Sequence, residues 1–116
     1  MALELAQTDS TTETDEFPYV SQESLVLRNY DGTEANEVTI RLVDSDESVT
    51  FDGTYALRPG SSKSIHVRLD RGVYVVEACL NGGKTDRAEC LIGSGPDETA
   101  LVEVGNGLVS VVEGVI

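Results

Sequence analysis

From Ser24 to Val112 apolar residues fall on every second position, in short runs broken by glycine, proline, asparagine and aspartate. A period of two belongs to a strand with one buried face, whereas a half-buried helix needs apolar residues three and four apart. Leu25 and Leu27 open the series, followed by Val38, Ile40 and Leu42 with Thr39 and Arg41 on the opposite face. Val49 and Phe51 lead to Tyr55 and Leu57, with Gly53 read as a bulge or bend between them. A turn at Pro59-Gly60 precedes Ile65, Val67 and Leu69, and the Asp70-Arg71-Gly72 turn precedes Tyr74, Val76, Ala78 and Leu80. After Asn81-Gly82-Gly83 come Ala88, Cys90 and Ile92, then Ala100, Val102 and Val104. Asn106-Gly107 is suited to a type I′ hairpin turn into Leu108 to Val112, because both residues tolerate positive φ. Strands at this spacing, with no helical segment between them, predict an all-β antiparallel sandwich or small barrel of about seven to eight strands.

Charge divides the chain in two. The protein has 116 residues, with 21 acidic and 8 basic side chains, only two of them lysines (Lys63 and Lys84), for a net charge of −13. Residues 1–23 hold Glu4, Asp9, Glu13, Asp15, Glu16 and Glu23 with no basic residue, and are rich in threonine and serine. Such a composition buries too little apolar surface to fold alone, so 1–23 reads as an acidic N-terminal arm and 24–116 as the β-sandwich domain. So much negative charge on so small a chain strains the compact state by self-repulsion, which molar salt relieves by cutting the Debye length to about 3 Å.

The same balance excludes some partners. A nucleic-acid binder needs a basic stripe, and here the arginines are scattered singly along different strands. No apolar run approaches the ~18 residues of a membrane-spanning helix, and the N-terminus lacks the basic and apolar regions of a secretory signal. The expectation is therefore no membrane insertion and a cytoplasmic location, or a virion if the protein is viral.

No cluster of residues announces a chemistry. His66 is the only histidine and alternates outward between Ile65 and Val67, so a catalytic dyad would need a distant partner. Carboxylate pairs can be drawn from any two of the many acids and carry no information. Asp44-Ser45-Asp46-Glu47 bunches oxygen ligands but lacks the glycine and distal glutamate of an EF-hand loop, and is read as a solvated acidic turn. Cys79 and Cys90 flank the Asn81-Gly82-Gly83 turn. Alternation turns Cys79 outward and Cys90 inward, against a cross-strand disulfide, although a bulge would reverse one facing, and both states stay open. No catalytic residue, metal site or cofactor is expected.

The last hairpin carries apolar residues on both faces. Val109 and Val111 face opposite to Leu108 and Val112, and Leu101 sits outward beside Glu103. One face enters the core and the other needs a cover, either from Phe17-Pro18-Tyr19-Val20 of the arm or from another chain. Phe17, Tyr19, Val20, Leu101, Val109 and Val111 are the candidate partner-binding residues.

The stretch from Leu57-Arg58-Pro59-Gly60 to Gly72-Val73-Tyr74-Val75-Val76-Glu77-Ala78 resembles immunoglobulin-like and transthyretin-like β-sandwiches, including those called carboxypeptidase regulatory-like. The resemblance extends over Leu25 to Val112, and the acidic, lysine-poor composition resembles proteins of halophilic archaea and their viruses. The cysteine, tryptophan, cysteine trio of antibody domains is missing. The resemblance implies a non-enzymatic module for adhesion, decoration or docking. The expected function is a structural or assembly protein adapted to high salt, a virion or surface-assembly component such as a capsid decoration protein. Its arm and C-terminal hairpin would contact other protein chains, as a homo-oligomer or on a capsid or surface scaffold. The alternative is a cytoplasmic ligand- or protein-binding sandwich of a halophile.

Overall fold

The computed structural model describes residues 24–93, 95 and 97–114. The strands are β1 (Leu25–Asn29), β2 (Asn36–Val43), β3 (Val49–Leu57), β4 (Ser62–Ile65), β5 (Gly72–Leu80), β6 (Lys84–Ile92), β7 (Ala100–Gly105) and β8 (Leu108–Glu113). They form two four-stranded sheets, β4-β1-β7-β8 and β3-β2-β5-β6. Neighbours are antiparallel except β1 and β7, which run parallel with Leu25 opposite Ala100 and Leu27 opposite Val102.

The core lies where the alternation places it. Leu25 and Leu27 of β1 and Val102 and Val104 of β7 meet Val38, Ile40 and Leu42 of β2 and Val76 of β5, all buried. Removing a side chain of this size from water is worth about 1.5–3 kcal/mol, which is why the period of two decides the facing of each strand. The Tyr74 hydroxyl donates to the Asp70 carbonyl at 2.6 Å, the tyrosine-corner contact of Greek-key sandwiches.

Two expectations about strands are corrected. β3 does not break at Gly53. It runs unbroken from Val49 to Leu57, and its bulge lies where Leu42 faces Phe51 but Val43 faces Val49. Gly53 answers a different need, since the Tyr55 side chain lies over it and a β-carbon there would stand 2.9 Å from the Tyr55 hydroxyl. The strand expected through Val67 and Leu69 ends at Ile65. Past that point the Ser24 hydroxyl takes over from a ladder, donating to the Val67 carbonyl at 2.9 Å and accepting from its N–H at 3.2 Å. Val67 and Leu69 still pack against the core. The β7–β8 hairpin turns as expected, with φ of 54° at Asn106 and 75° at Gly107.

One end of the sandwich is tied by side-chain amides. Asn29 is buried, and its Nδ2 donates to the carbonyls of Leu57 (2.9 Å), Glu34 (3.0 Å) and Arg58 (3.2 Å). Its Oδ1 accepts from the Asp31 N–H and from Asn36 Nδ2, each at 3.0 Å. Asn36 Oδ1 accepts from Asn81 Nδ2, and Asp31 Oδ1 accepts from the Asn106 N–H. The loops after β1, β3, β5 and β7 are thus fastened to one another.

Candidate interaction surface

The outer face of sheet β4-β1-β7-β8 is built in rows across the strands. The register sets Val26 beside Leu101 and Leu101 beside Val112. The next row is Arg28, Glu103 and Ser110. Beyond it Tyr30 reaches back to donate its hydroxyl to Glu103 Oε2 at 2.9 Å, and Leu108 stands opposite Gly105 on β8. Val26 and Leu101 are 7% and 3% exposed although they face away from the core cluster. Tyr30 (59%), Leu108 (62%) and Val112 (38%) stay open to solvent. The polar row Arg28, Glu103 and Ser110 thus separates two apolar strips on this face, Val26, Leu101 and Val112 on one side and Tyr30 and Leu108 on the other, a surface of the kind that other molecules cover.

The outer face of the second sheet is different. A charged row of alternating sign crosses all four strands, Asp52, Arg41, Glu77 and Arg87, with Arg41 Nε 3.2 Å from Glu77 Oε1. Thr54, Thr39, Cys79 and Thr85 form the adjacent row, and the members of the two rows on β2, β5 and β6 line an open groove. Towards the opposite end Val43, Val49, Val73, Val75 and Leu91 gather on this face, with Val49 and Val73 exposed.

The remaining candidates are accounted for by structure. Asp44 Oδ1 accepts from the N–H groups of Asp46 and Ser48, at 2.9 and 3.0 Å, so this carboxylate closes its own turn. Among the described residues no three His, Cys, Asp or Glu side chains gather as metal ligands would. His66 is exposed. Both cysteines are free, Cys79 on the outer face and Cys90 in the core. Tyr74 stands opposite Cys90 and Thr85 opposite Cys79, five residues apart along the sheet, roughly 16 Å at the strand rise and far beyond disulfide reach. Burial first, and then the Glu113 charge, push the Cys90 thiol up to about 11. Arg71 grips Glu98 with two nitrogens, Nε at 3.1 Å from both oxygens and Nη2 at 2.9 Å from Oε2. This grip, with the Gly95 N–H, holds the Glu98 carboxyl below its ordinary range.

A family model, the halobacterial Ig-like domain, matches residues 34–115. The chain belongs to this family. No curated protein and no solved structure matches it. The immunoglobulin-like sandwich expected from Leu57 to Ala78 is therefore both the observed fold and the family's, and the high-salt reading of the charge agrees with a halobacterial domain.

In this Ig-like domain the candidate partner residues separate. Phe17, Tyr19 and Val20 lie outside the described residues. Leu101 faces outward as expected but is shielded. Val109 and Val111 do not fit the role given to them. Val111 stands opposite the core residue Val102 and Val109 opposite Val104, so both turn inward, Val111 to 7% exposure. The open residues of the hairpin are on the other beat, Leu108 and Val112, joined by Tyr30 from the neighbouring loop. Val26 and the Val43–Val49–Val73–Val75–Leu91 group were missed too. All but Val49 carried a signal, as aliphatic residues on the polar beat of otherwise alternating strands, whereas Val49 shares the beat of Phe51 and is turned outward by the bulge in the β2–β3 pairing.

Proposed function

We propose that this halobacterial Ig-like domain is a non-enzymatic structural module that docks onto a larger assembly, a virion or cell-surface array, through the outer face of sheet β4-β1-β7-β8. The observation that carries the reading is the open apolar set Tyr30, Leu108 and Val112, three of the exposed large apolar side chains brought to one sheet face. A decoration protein needs such a face, because in molar salt electrostatic attraction between exposed groups is screened within about 3 Å and apolar contact must hold the complex. Residues 1–23 directly precede β1 in the sequence, and in this reading they contribute to the same contact.

The test is co-sedimentation with virions or envelope fragments of the source organism in molar KCl. The Leu108→Glu/Val112→Glu variant is expected to melt like the wild type and to stay in the supernatant, and deletion of residues 2–20 is expected to weaken pelleting. Pelleting by the double variant as complete as that of the wild type, or no pelleting of the wild type, overturns the proposal.

A further inference from the structure

The four edge strands of the sandwich are treated unequally. β4 is four residues long and carries Lys63. β6 and β8 exchange caps across one side of the sandwich: Asp86 Oδ2 accepts from the Val111 N–H at 2.8 Å, and Glu113 Oε2 accepts from the Leu91 N–H at 2.7 Å. β3 has neither protection. It is nine residues long, without lysine, arginine or proline, and its ladder among the described residues runs to β2 alone. A long unpaired edge is a template for another strand, and short length, lysines and covering groups are the usual defences.

The free backbone groups of β3 can be assigned. The Asn81 N–H donates to the Glu37 carbonyl, so Glu37, Thr39 and Arg41 direct their backbone groups to β5, while Val38, Ile40 and Leu42 direct theirs to β3. Their partners Tyr55, Gly53 and Phe51 therefore point to β2. Asp52, Thr54 and Ala56 present N–H and carbonyl groups outward.

The residues of β3 are self-complementary about Gly53. A two-fold axis there sets Asp52 against Thr54 of a second copy, joining outward hydrogen-bonding positions to one another, and sets Phe51 against its Tyr55 as the closer, non-hydrogen-bonded pair. Aromatic pairs opposite one another across strands are favourable, whereas like charges directly opposite are not, which disfavours the register centred on Asp52. Phe51 and Tyr55 are only partly buried, so the edge of the core still has surface to cover.

We infer that β3 is a self-association edge, through which two copies of this chain pair antiparallel about Gly53 and continue sheet β3-β2-β5-β6 from one copy into the other. The pairing uses a different surface from the docking face and does not depend on it. Each copy carries a charge of −13, and the two Asp52 side chains lie diagonally across the axis, so the dimer requires salt.

Sedimentation velocity of the full chain at about 5–200 µM, in roughly 2 M and 0.2 M KCl, tests the inference. A dimer in high salt that dissociates in low salt is expected. Thr54 is exposed and its row carries no charge, so its substitution reads the interface. Thr54→Asp, which opposes Asp52 of the second copy twice, is expected to weaken the dimer roughly tenfold or more, and Thr54→Lys to strengthen it in low salt by a similar factor. Should Thr54→Asp fail to fold, Thr54→Lys alone decides. Leu108→Glu is expected to leave dimerisation intact, which separates this edge from the docking face. A wild type that stays monomeric in 2 M KCl, or an oligomer indifferent to both charges at Thr54, overturns it.

Discussion

Asn29 shows how one side chain can hold an end of a sandwich. Its amide donates to the carbonyls of Leu57 and Arg58 where the chain crosses between sheets. Asn29→Ala removes the amide donor from the Leu57 and Glu34 carbonyls and the acceptor from the Asp31 N–H together, while the Arg58 carbonyl keeps Ser61, and a buried unsatisfied group costs about 1–3 kcal/mol. The expected loss is about 2–4 kcal/mol, read by urea unfolding in molar KCl, and a loss under about 1 kcal/mol would show that water replaces the amide. Cys90 yields a prediction with a pH sign. In the unfolded chain its thiol ionises near the ordinary 9.0, and in the core near 11. The folded state therefore holds the proton longer, and the contribution is fully present below pH 9 and lost as pH rises to 11. Two pH units correspond to about 3 kcal/mol. Tyr55 and Tyr74, raised chiefly by burial, add a fall of the same sign above pH 10. Stability measured across this window is expected to fall less steeply for Cys90→Ala than for the wild type, and equal slopes would place the thiol in contact with water. A thiol reagent at pH 8 should label Cys79 in the native protein and reach Cys90 only on unfolding.

Among the elements, β6 and β8 are joined by side-chain caps instead of a ladder. Asp86 turns inward from the end of β6 because Ala78 and Asp86 share the inner beat, and the N–H of Val111 is within its reach. Asp86→Ala removes the acceptor from a partly buried N–H and is expected to cost about 1–2 kcal/mol, checked by thermal melts. Opening this seam also frees the β8 edge, so the variant should aggregate sooner on heating than one altered at Asp97, an exposed residue of the loop between β6 and β7. These seams mark the limit of what alternation reveals. A period of two located the strands and most of the core, from Leu25 to Val104, because each inward side chain removes comparable apolar area from water. It misjudged the ribbon of β7 and β8, where both beats are apolar and only the register with Val102 and Val104 decides that Val109 and Val111 go inside. It misread Gly53, whose reason is a tyrosine two residues along the same strand and not a bend. The network around Asn29 was invisible, since its partners come from loops distant in sequence. The candidate surface was half legible: the hairpin was identified, while Tyr30, Leu108 and Val112 needed the rows of the sheet.

At the scale of the whole molecule, charge governs stability more than any single pair does. Residues 24–116 carry 15 acidic and 8 basic side chains, a difference of −7, and residues 1–23 add −6. The ion pairs Arg41–Glu77 and Arg71–Glu98 involve arginines that are half exposed or more, and pairs of that kind contribute about 0–1 kcal/mol. They cannot offset the repulsion among the remaining carboxylates. Salt can, by shortening the range of repulsion from about 10 Å at 0.1 M to about 3 Å at 1 M, while the apolar core is indifferent to charge screening. The fold is therefore expected to lose stability steadily as KCl falls from about 2 M to 0.1 M, seen as a falling melting temperature by circular dichroism. The shape of the loss separates screening from specific cation binding. Screening acts through ionic strength alone, so NaCl and KCl should give the same curve, and a chain lacking residues 1–23 should show a shallower one. A melting temperature unchanged between the two salt concentrations would mean that the acidic surface serves solubility and not the folded state.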